Sequence, residues 1–140
     1  MSVRKMVTFT TRSRLDPDPL EPYYLSQGFR VGDLVIVSGQ AALDKYGAIV
    51  GAGDFDAQAE QTFENLRRVL EAGGSGLDKI VKVTIYLTDM ANFPKIVELR
   101  ARYFSRPWPA DTIVGVTALA LPELQIEIEA IALADGDVLG

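Results

Sequence analysis

The alternation in Ile126-Glu127-Ile128-Glu129-Ala130-Ile131-Ala132-Leu133 constrains the fold more than any other stretch of the chain. A period of two places Ile126, Ile128, Ala130 and Ala132 on one face of an extended segment, and Gln125, Glu127, Glu129 and Ile131 on the other. The segment therefore predicts a strand with one apolar face that another layer must cover. The run Pro109-Ala110-Asp111-Thr112-Ile113-Val114-Gly115-Val116 precedes it, and a turn at Leu121-Pro122-Glu123 separates the two, which predicts a companion strand. Glu127 and Glu129 share a face with Cα atoms roughly 7 Å apart. That face also carries Ile131 and Leu133. Two readings stay open for it: the polar outer side of a sheet, or a carboxylate set into a partly apolar pocket.

The rest of the chain supplies the covering layer. Met6-Val7-Thr8-Phe9-Thr10 is rich in β-formers and predicts a short strand, followed by a proline-dense loop at Asp16-Pro17-Asp18-Pro19-Leu20-Glu21-Pro22 that cannot be helical. Tyr23-Tyr24-Leu25-Ser26-Gln27 reads as a strand or packed loop, or as a pocket wall with hydroxyl donors. After a turn at Gly32-Asp33, Leu34-Val35-Ile36-Val37-Ser38 is nearly all apolar and predicts a strand buried on both faces. Gly39 at its end lets a ligand approach the backbone or marks a bulge. A helix is expected over Ala57 to Ala72, capped by Asp56, with Ala59, Phe63, Leu66 and Leu70 as its buried stripe and Arg67, Arg68, Glu60 and Glu64 on a solvated face. Gly73-Gly74 stops it. Ile80 to Thr88 predicts a strand with Val81, Val83, Ile85 and Leu87 on one face and Lys82, Thr84, Tyr86 and Thr88 on the other. A second helix begins near Asp89 or Asn92, tolerates Pro94 in its first turn, uses Phe93, Ile96, Leu99 and Tyr103 as its apolar stripe, and ends near Phe104. Strands, helix, strand, helix, two strands fits one mixed sheet with two helices on a single face. The other face keeps semi-apolar groups, which predicts oligomerisation through it.

Composition narrows the chemistry. At 140 residues the chain fits one domain and is long enough to bury a core. Within it, residues 1–26 form the N-terminal strand and loop, 27–133 the core and 134–140 a tail. No apolar run approaches the ~20 residues of a membrane span, and the start lacks the apolar region of a secretory signal. Cysteine and histidine are both absent. Disulfides, a thiol nucleophile, a Ser-His-Asp triad and the usual zinc sites are therefore excluded. Acid–base work must come from carboxylates, Tyr, Lys, backbone groups or bound water. The net charge is −5 and the basic residues are dispersed, so the basic stripe of a phosphate-backbone binder is missing and nucleic acid is not an expected partner.

An ordered set of short motifs carries a family resemblance. Val31-Gly32-Asp33-Leu34, Val37-Ser38-Gly39-Gln40, Glu60-Gln61-Thr62 with Asn65-Leu66, Val81 to Met90, Phe93, Tyr103-Phe104, Pro109-Ala110 and Ile126 to Ala132 span about three quarters of the chain. Together they resemble the RidA/YjgF family (reactive intermediate deaminases, also labelled endoribonuclease L-PSP). The resemblance implies a chorismate-mutase-like α+β fold, a homotrimer with pockets at subunit interfaces, a cytoplasmic location, and no metal or organic cofactor. It implies hydrolysis of small enamines and imines, such as 2-aminoacrylate, to a 2-keto acid and ammonia. In active members an arginine directly after the Pro-Ala step clamps the substrate carboxylate, and a glutamate on the last strand orients water. Glu127 matches that glutamate, and Ser38 and Gly39 match the pocket strand. Asp111 stands where the arginine is expected, Leu25 where a pocket tyrosine is expected, with Tyr23 and Tyr24 displaced by one or two positions, and Val97 where some members have asparagine. The expected site is thus Glu127 and Asp111 as the reacting carboxylates, with Ser38, Gly39, Tyr24, Leu25, Tyr86, Phe93 and Ile113 binding a small molecule.

The substitution at Asp111 divides the functional readings. A substrate carboxylate ~4 Å from Asp111 is disfavoured by roughly 1–4 kcal/mol, depending on the effective dielectric, so ordinary 2-aminoacrylate turnover should be weak or absent unless another arginine, such as Arg106, replaces the missing one. If Asp111 and Glu127 both enter the pocket they form a coupled pair suited to an amine-bearing ligand; otherwise Asp111 caps a turn or pairs with a neighbouring arginine. A divergent hydrolase of the deaminase type and a non-catalytic metabolite-binding trimer are the two readings carried forward. Ribonuclease chemistry fits an acidic chain without histidine poorly.

Overall fold

The computed structural model describes residues 7–10, 15 and 17–134, the first four by backbone alone. Met6 and the expected tail beyond residue 134 lie outside the described residues. The elements are β1 (Val7–Thr10), β2 (Gly28–Val31), β3 (Leu34–Ala41), α1 (Phe55–Ala72), β4 (Ile80–Leu87), α2 (Phe93–Tyr103), β5 (Ala110–Gly115) and β6 (Ile126–Leu133). They form one six-stranded sheet in the order β1-β2-β3-β6-β4-β5. Neighbours are antiparallel except β4 and β5, which run parallel. Parallel neighbours require a crossover, and α2 is that crossover.

The apolar stripe of β6 lies at the centre of the molecule. Ile126, Ile128, Ala130 and Ala132 are buried together with Val35 and Val37 of β3, Val83, Ile85 and Leu87 of β4, Phe63, Leu66 and Leu70 of α1 and Ile96 of α2. Both helices therefore cover the same sheet face, and they meet through Phe63, whose ring stacks on Tyr103 at 4.3 Å and meets Phe104 edge-on at 5.6 Å. No described helix is long and apolar enough to cross a membrane.

Four local expectations are corrected or settled. α1 starts at Phe55, because Phe55 is buried and draws the first turn into the core. Its cap is Asp54, whose carboxylate accepts from the Ala57 amide at 3.1 Å, while Asp56 pairs with Lys95 at 3.0 Å. In the Leu34 to Ser38 part of β3 only Val35 and Val37 are buried; Leu34 and Ile36 are 39% and 42% exposed, since no helix covers the second face. In β4 the core position expected for Val81 belongs to Ile80, because the pairing with β6 slips between Ile80 and Lys82. The Tyr23 to Gln27 stretch is not a strand: Glu21–Tyr23 is one 3-10 turn, and Tyr24 takes a left-handed conformation at φ 61°.

One irregularity of β3 bears on function. Val37 pairs with Ala130 and Gln40 with Ile128, so β3 spends one residue more than β6 over this interval. That is a β-bulge at Ser38-Gly39. It brings the backbone of Gly39 against the side chain of Glu127.

Candidate active site

Glu127 is placed by the two strands that flank it. On β6 it pairs with Ala41 of β3 on one side and Tyr86 of β4 on the other. Its side chain packs so closely on the bulge that a Cβ at Gly39 would stand 2.8 Å from the carboxyl carbon and 3.1 Å from Oε2. Only a residue without a side chain leaves room for the carboxylate there. Burial raises the Glu127 pKa above the ordinary carboxylate value of 4.5, and the like charge of Glu129 raises it further. Glu129 itself accepts a hydrogen bond from the Tyr86 hydroxyl. This contact, more than burial, raises the Tyr86 pKa. Glu129 and Tyr86 thus satisfy each other, and among the described residues no hydrogen bond or ion pair engages the Glu127 carboxylate.

That carboxylate lines a cavity of ≈ 370 Å³ together with Gly39, Tyr23, Leu25, Asn65 and Arg68. Most of the remaining wall is apolar, contributed by the proline-rich segment, the end of β3 and the loop before β6. Part of the polar wall is a chain of amides. Gln40 donates to the Gln27 carbonyl oxygen Oε1 at 2.9 Å, and Gln27 donates to Asp18 Oδ1 at 2.8 Å. These bonds fix the proline-rich segment to the strand end. Ser38 serves the same purpose, donating from Oγ to the Ser26 carbonyl at 2.5 Å. It holds the wall in place and is not itself part of the cavity lining.

The expected site residues divide accordingly. Glu127, Gly39 and Leu25 come together at the cavity. Tyr24 does not: it is 97% exposed, and its neighbour Tyr23 takes the wall position because the left-handed turn directs the two side chains apart. Tyr86 lies on the open sheet face against Glu129, Phe93 is a half-exposed residue at the start of α2, and Ile113 packs on the core; none of the three lines the cavity.

Within the chain Asp111 and Glu127 are separated, and of the two readings left open for Asp111 the one found is pairing with a neighbouring arginine. In the parallel pairing Asp111 sits opposite Val83, whose side chain is on the helix-covered face, whereas Glu127 sits opposite Tyr86 on the other face. Asp111 is held there by Arg100 of α2, which donates from Nε to Oδ2 at 2.8 Å and from Nη2 to Oδ1 at 3.0 Å. A two-pronged pair at side-chain exposures of 28% and 16% is well ordered and partly desolvated. The Arg100 guanidinium also lies 5.9 Å above the Phe93 ring. Arg106, the possible replacement, stacks over Trp108 at 5.6 Å and is likewise absent from the cavity wall.

Sequence reasoning placed Arg67 and Arg68 together on a solvated face, and the structure separates them. Arg67 bonds Glu64 and Glu71 along the helix surface. Arg68 turns to the cavity, where Asn65, three residues earlier on the same face, accepts from its Nη2 at 3.3 Å. Asn65 is fixed by donating to the carbonyls of Ala41 and Leu43 at 2.8 and 2.7 Å. The i, i+3 spacing of Asn65 and Arg68 was the available signal.

Comparison with known proteins agrees with this architecture. The family described as Endoribonuclease L-PSP matches residues 13–134. A RutC family protein from Pyrococcus horikoshii is 42% identical, the match covering 91% of this chain and 97% of that protein. A 2-iminobutanoate/2-iminopropanoate deaminase from Dermatophagoides farinae is 34% identical over 86% of this chain and 92% of that protein. Among solved structures, RidA from an Antarctic Psychrobacter superposes with a TM-score of 0.72 at 37% identity, covering 78% of this chain and 87% of that one. With the matched span taking in both helices and every strand from β2 to β6, the chain belongs to the RidA/YjgF family, whose profile bears the description endoribonuclease L-PSP.

Proposed function

We propose that the protein is a divergent hydrolase of small imines and enamines in which Glu127 directs the attacking water. The observation that carries this reading is the Glu127 carboxylate, unpaired with any cation among the described residues, its pKa raised by burial, held against Gly39 on the wall of a largely apolar cavity. A carboxylate with a raised pKa is a stronger base than a solvated one, and so better matched to activating water near neutral pH. In the step itself, the water oxygen bonds to the imine carbon while the C=N electron pair moves to nitrogen. The proton lost by water passes through Glu127 to that nitrogen. Collapse of the resulting carbinolamine re-forms a carbonyl and expels ammonia, giving a keto compound with Glu127 returned to its starting state. An enamine enters the same path after protonation at carbon.

The deaminase relatives support the reaction class. Asp111, ion-paired to Arg100, supports a narrower point: turnover of 2-aminoacrylate through an arginine at this position is weak or absent. In the assembled protein we place three chains around pockets at their interfaces, closed over the open sheet face. Support for this comes from the apolar side chains of Phe29, Leu34 and Ile36, exposed there to 39%, 39% and 42% in the single chain.

The test is release of ammonia and keto acid from freshly generated imines of several amino acids. Wild type should turn over imines with apolar side chains faster than 2-aminoacrylate, and Glu127→Gln should be at least about 100-fold slower, as expected when a general base is removed. Equal rates for wild type and Glu127→Gln, or no turnover of any imine, would reject the hydrolase in favour of a binding protein.

A further inference from the structure

We propose that Arg68 is the carboxylate anchor of this cavity, so that the ligand is an anion with an apolar body, held by a guanidinium on α1 in place of one on β5. The proposal rests on the reading of the cavity as the reactive site and adds a specificity-determining residue to it.

Among the described cavity-lining residues Arg68 is the one cation and Glu127 the one anion. A guanidinium carries five N–H donors and no acceptor. Of these five, one makes a hydrogen bond, the 3.3 Å contact from Nη2 to Asn65, which is long for a charge-assisted bond. Nε is closed off from solvent and has no hydrogen-bond partner. Leaving such a donor unmet is costly, and arginines beside carboxylates normally use Nε and Nη2 as a fork, as Arg100 does with Asp111. Arg68 has no carboxylate partner, and with Nε closed off the donors it offers the cavity are those of its terminal nitrogens.

Two groups near Arg68 on α1 could have engaged its charge, and neither neutralises it. Glu64, one turn back on α1, feels the charge of Arg68, but its carboxylate is taken up by Arg67. Asn65 supplies one neutral oxygen, which it shares with Gln61 at 2.9 Å. The role of Asn65 is to orient the guanidinium. Its own amide is locked to Ala41 and Leu43, and Ala41 is the residue paired with Glu127 across the sheet. This short chain of contacts ties the anchor to the strand position that carries the reacting carboxylate.

The surroundings specify the rest of the ligand. The cavity of ≈ 370 Å³ falls in the ordinary range of small-molecule pockets, about 300–1,000 Å³. A three-carbon imino acid would leave much of it unfilled. Leu25, Val69, Leu121 and Leu124 contribute to the apolar part of the same cavity wall. The ligand class that satisfies all of this is a 2-imino acid with a branched aliphatic or aromatic side chain, or its 2-keto acid product.

Titration with 4-methyl-2-oxopentanoate and with its neutral methyl ester, followed by calorimetry, tests the assignment on the full chain. Wild type should bind the acid roughly tenfold or more tightly than the ester, the effect of about one charge-assisted hydrogen-bonded pair. Arg68→Gln should bring the acid down to the affinity of the ester and leave the ester unchanged. Arg68→Lys, which keeps the charge and loses the planar guanidinium, should fall between, and serves if the glutamine variant does not fold. An acid affinity equal in wild type and Arg68→Gln, no preference for acid over ester, or no binding of the acid by wild type would each overturn the proposal. Glu127→Gln separates it from the hydrolase reading. If turnover is absent in wild type but acid binding still depends on Arg68, the anchor stands and the hydrolase falls. If imine turnover is intact and unchanged in Arg68→Gln, the hydrolase stands and the anchor falls.

Discussion

At the scale of single residues, Gly39 and Glu127 form one unit. The backbone of Gly39 has no left-handed requirement, so its value lies in the missing Cβ, which would stand 2.8 Å from the Glu127 carboxyl carbon. The neighbour that must move in Gly39→Ala is the end of a flexible side chain, so stability should change by less than about 1 kcal/mol. Displacement of a positioned reacting group by about 1 Å can cost about 100-fold in rate. The expected result is a large loss of kcat with an almost unchanged melting temperature. The pH dependence of stability gives an independent measurement on Glu127. Its folded pKa is raised, so the protonated form favours the folded state. That contribution is complete below the unfolded value near 4.5 and is lost as pH rises through the higher folded value. Glu127→Gln, permanently neutral, should therefore gain melting temperature relative to wild type as pH is raised from 4 to 7. A difference that stays flat over this range would mean that Glu127 ionises as a solvated carboxylate does.

At the scale of elements, much of the fold was legible because local and long-range preferences agree. The β6 alternation and the Ala59, Phe63, Leu66 and Leu70 stripe both point to burial on one side and are found so, and α1 ends at the glycines expected to stop it. The site was less legible. Glu127 could be singled out, but the partner face of Asp111 depends on the register of the parallel β4–β5 pair, which no short stretch encodes. Arg68 was masked by its neighbour: Arg67-Arg68 reads as a charged surface, and only the side chains' separate hydrogen bonds distinguish them. The same register makes a prediction about α2 and β5. Arg100 and Asp111 tie these elements together, and removing one partner leaves a partly buried charge behind. Asp111→Ala should destabilise the protein by about 1–3 kcal/mol in urea unfolding. Asp111→Arg should be at least as disruptive, because it sets two guanidinium groups side by side. The double variant Arg100→Asp/Asp111→Arg restores the pair with its charges exchanged. Recovery of most of the lost stability in the double variant is the expected outcome; additive losses would show that the pair makes no net contribution.

At the scale of the whole molecule, the sheet has one face sealed by two helices and one face left open, and the two carry different chemistry. The sealed face holds the core and the Arg100–Asp111 pair; the open face holds Glu129, Tyr86 and the aliphatic edge of β2 and β3. Exposed apolar side chains at Phe29, Leu34 and Ile36 lie on adjacent strands, with Phe29 paired to Ile36. A contiguous patch of this kind marks an association surface more readily than a solvated one. Ile36 is also paired with Ile131 of β6, the strand that carries Glu127, so association through the proposed face would bear on the strand that positions the proposed reacting carboxylate. Ile36→Glu places a charge in the middle of the patch while leaving the helix-side core untouched. If the proposed assembly closes over this face, sedimentation should show wild type as a trimer and the variant as a monomer that keeps its far-ultraviolet circular dichroism. Imine turnover should fall along with association, and should recover at protein concentrations high enough to force the subunits together. A variant that remains trimeric would place the subunit contact elsewhere on the molecule, and a monomeric variant with full activity would place the whole reactive site within one chain.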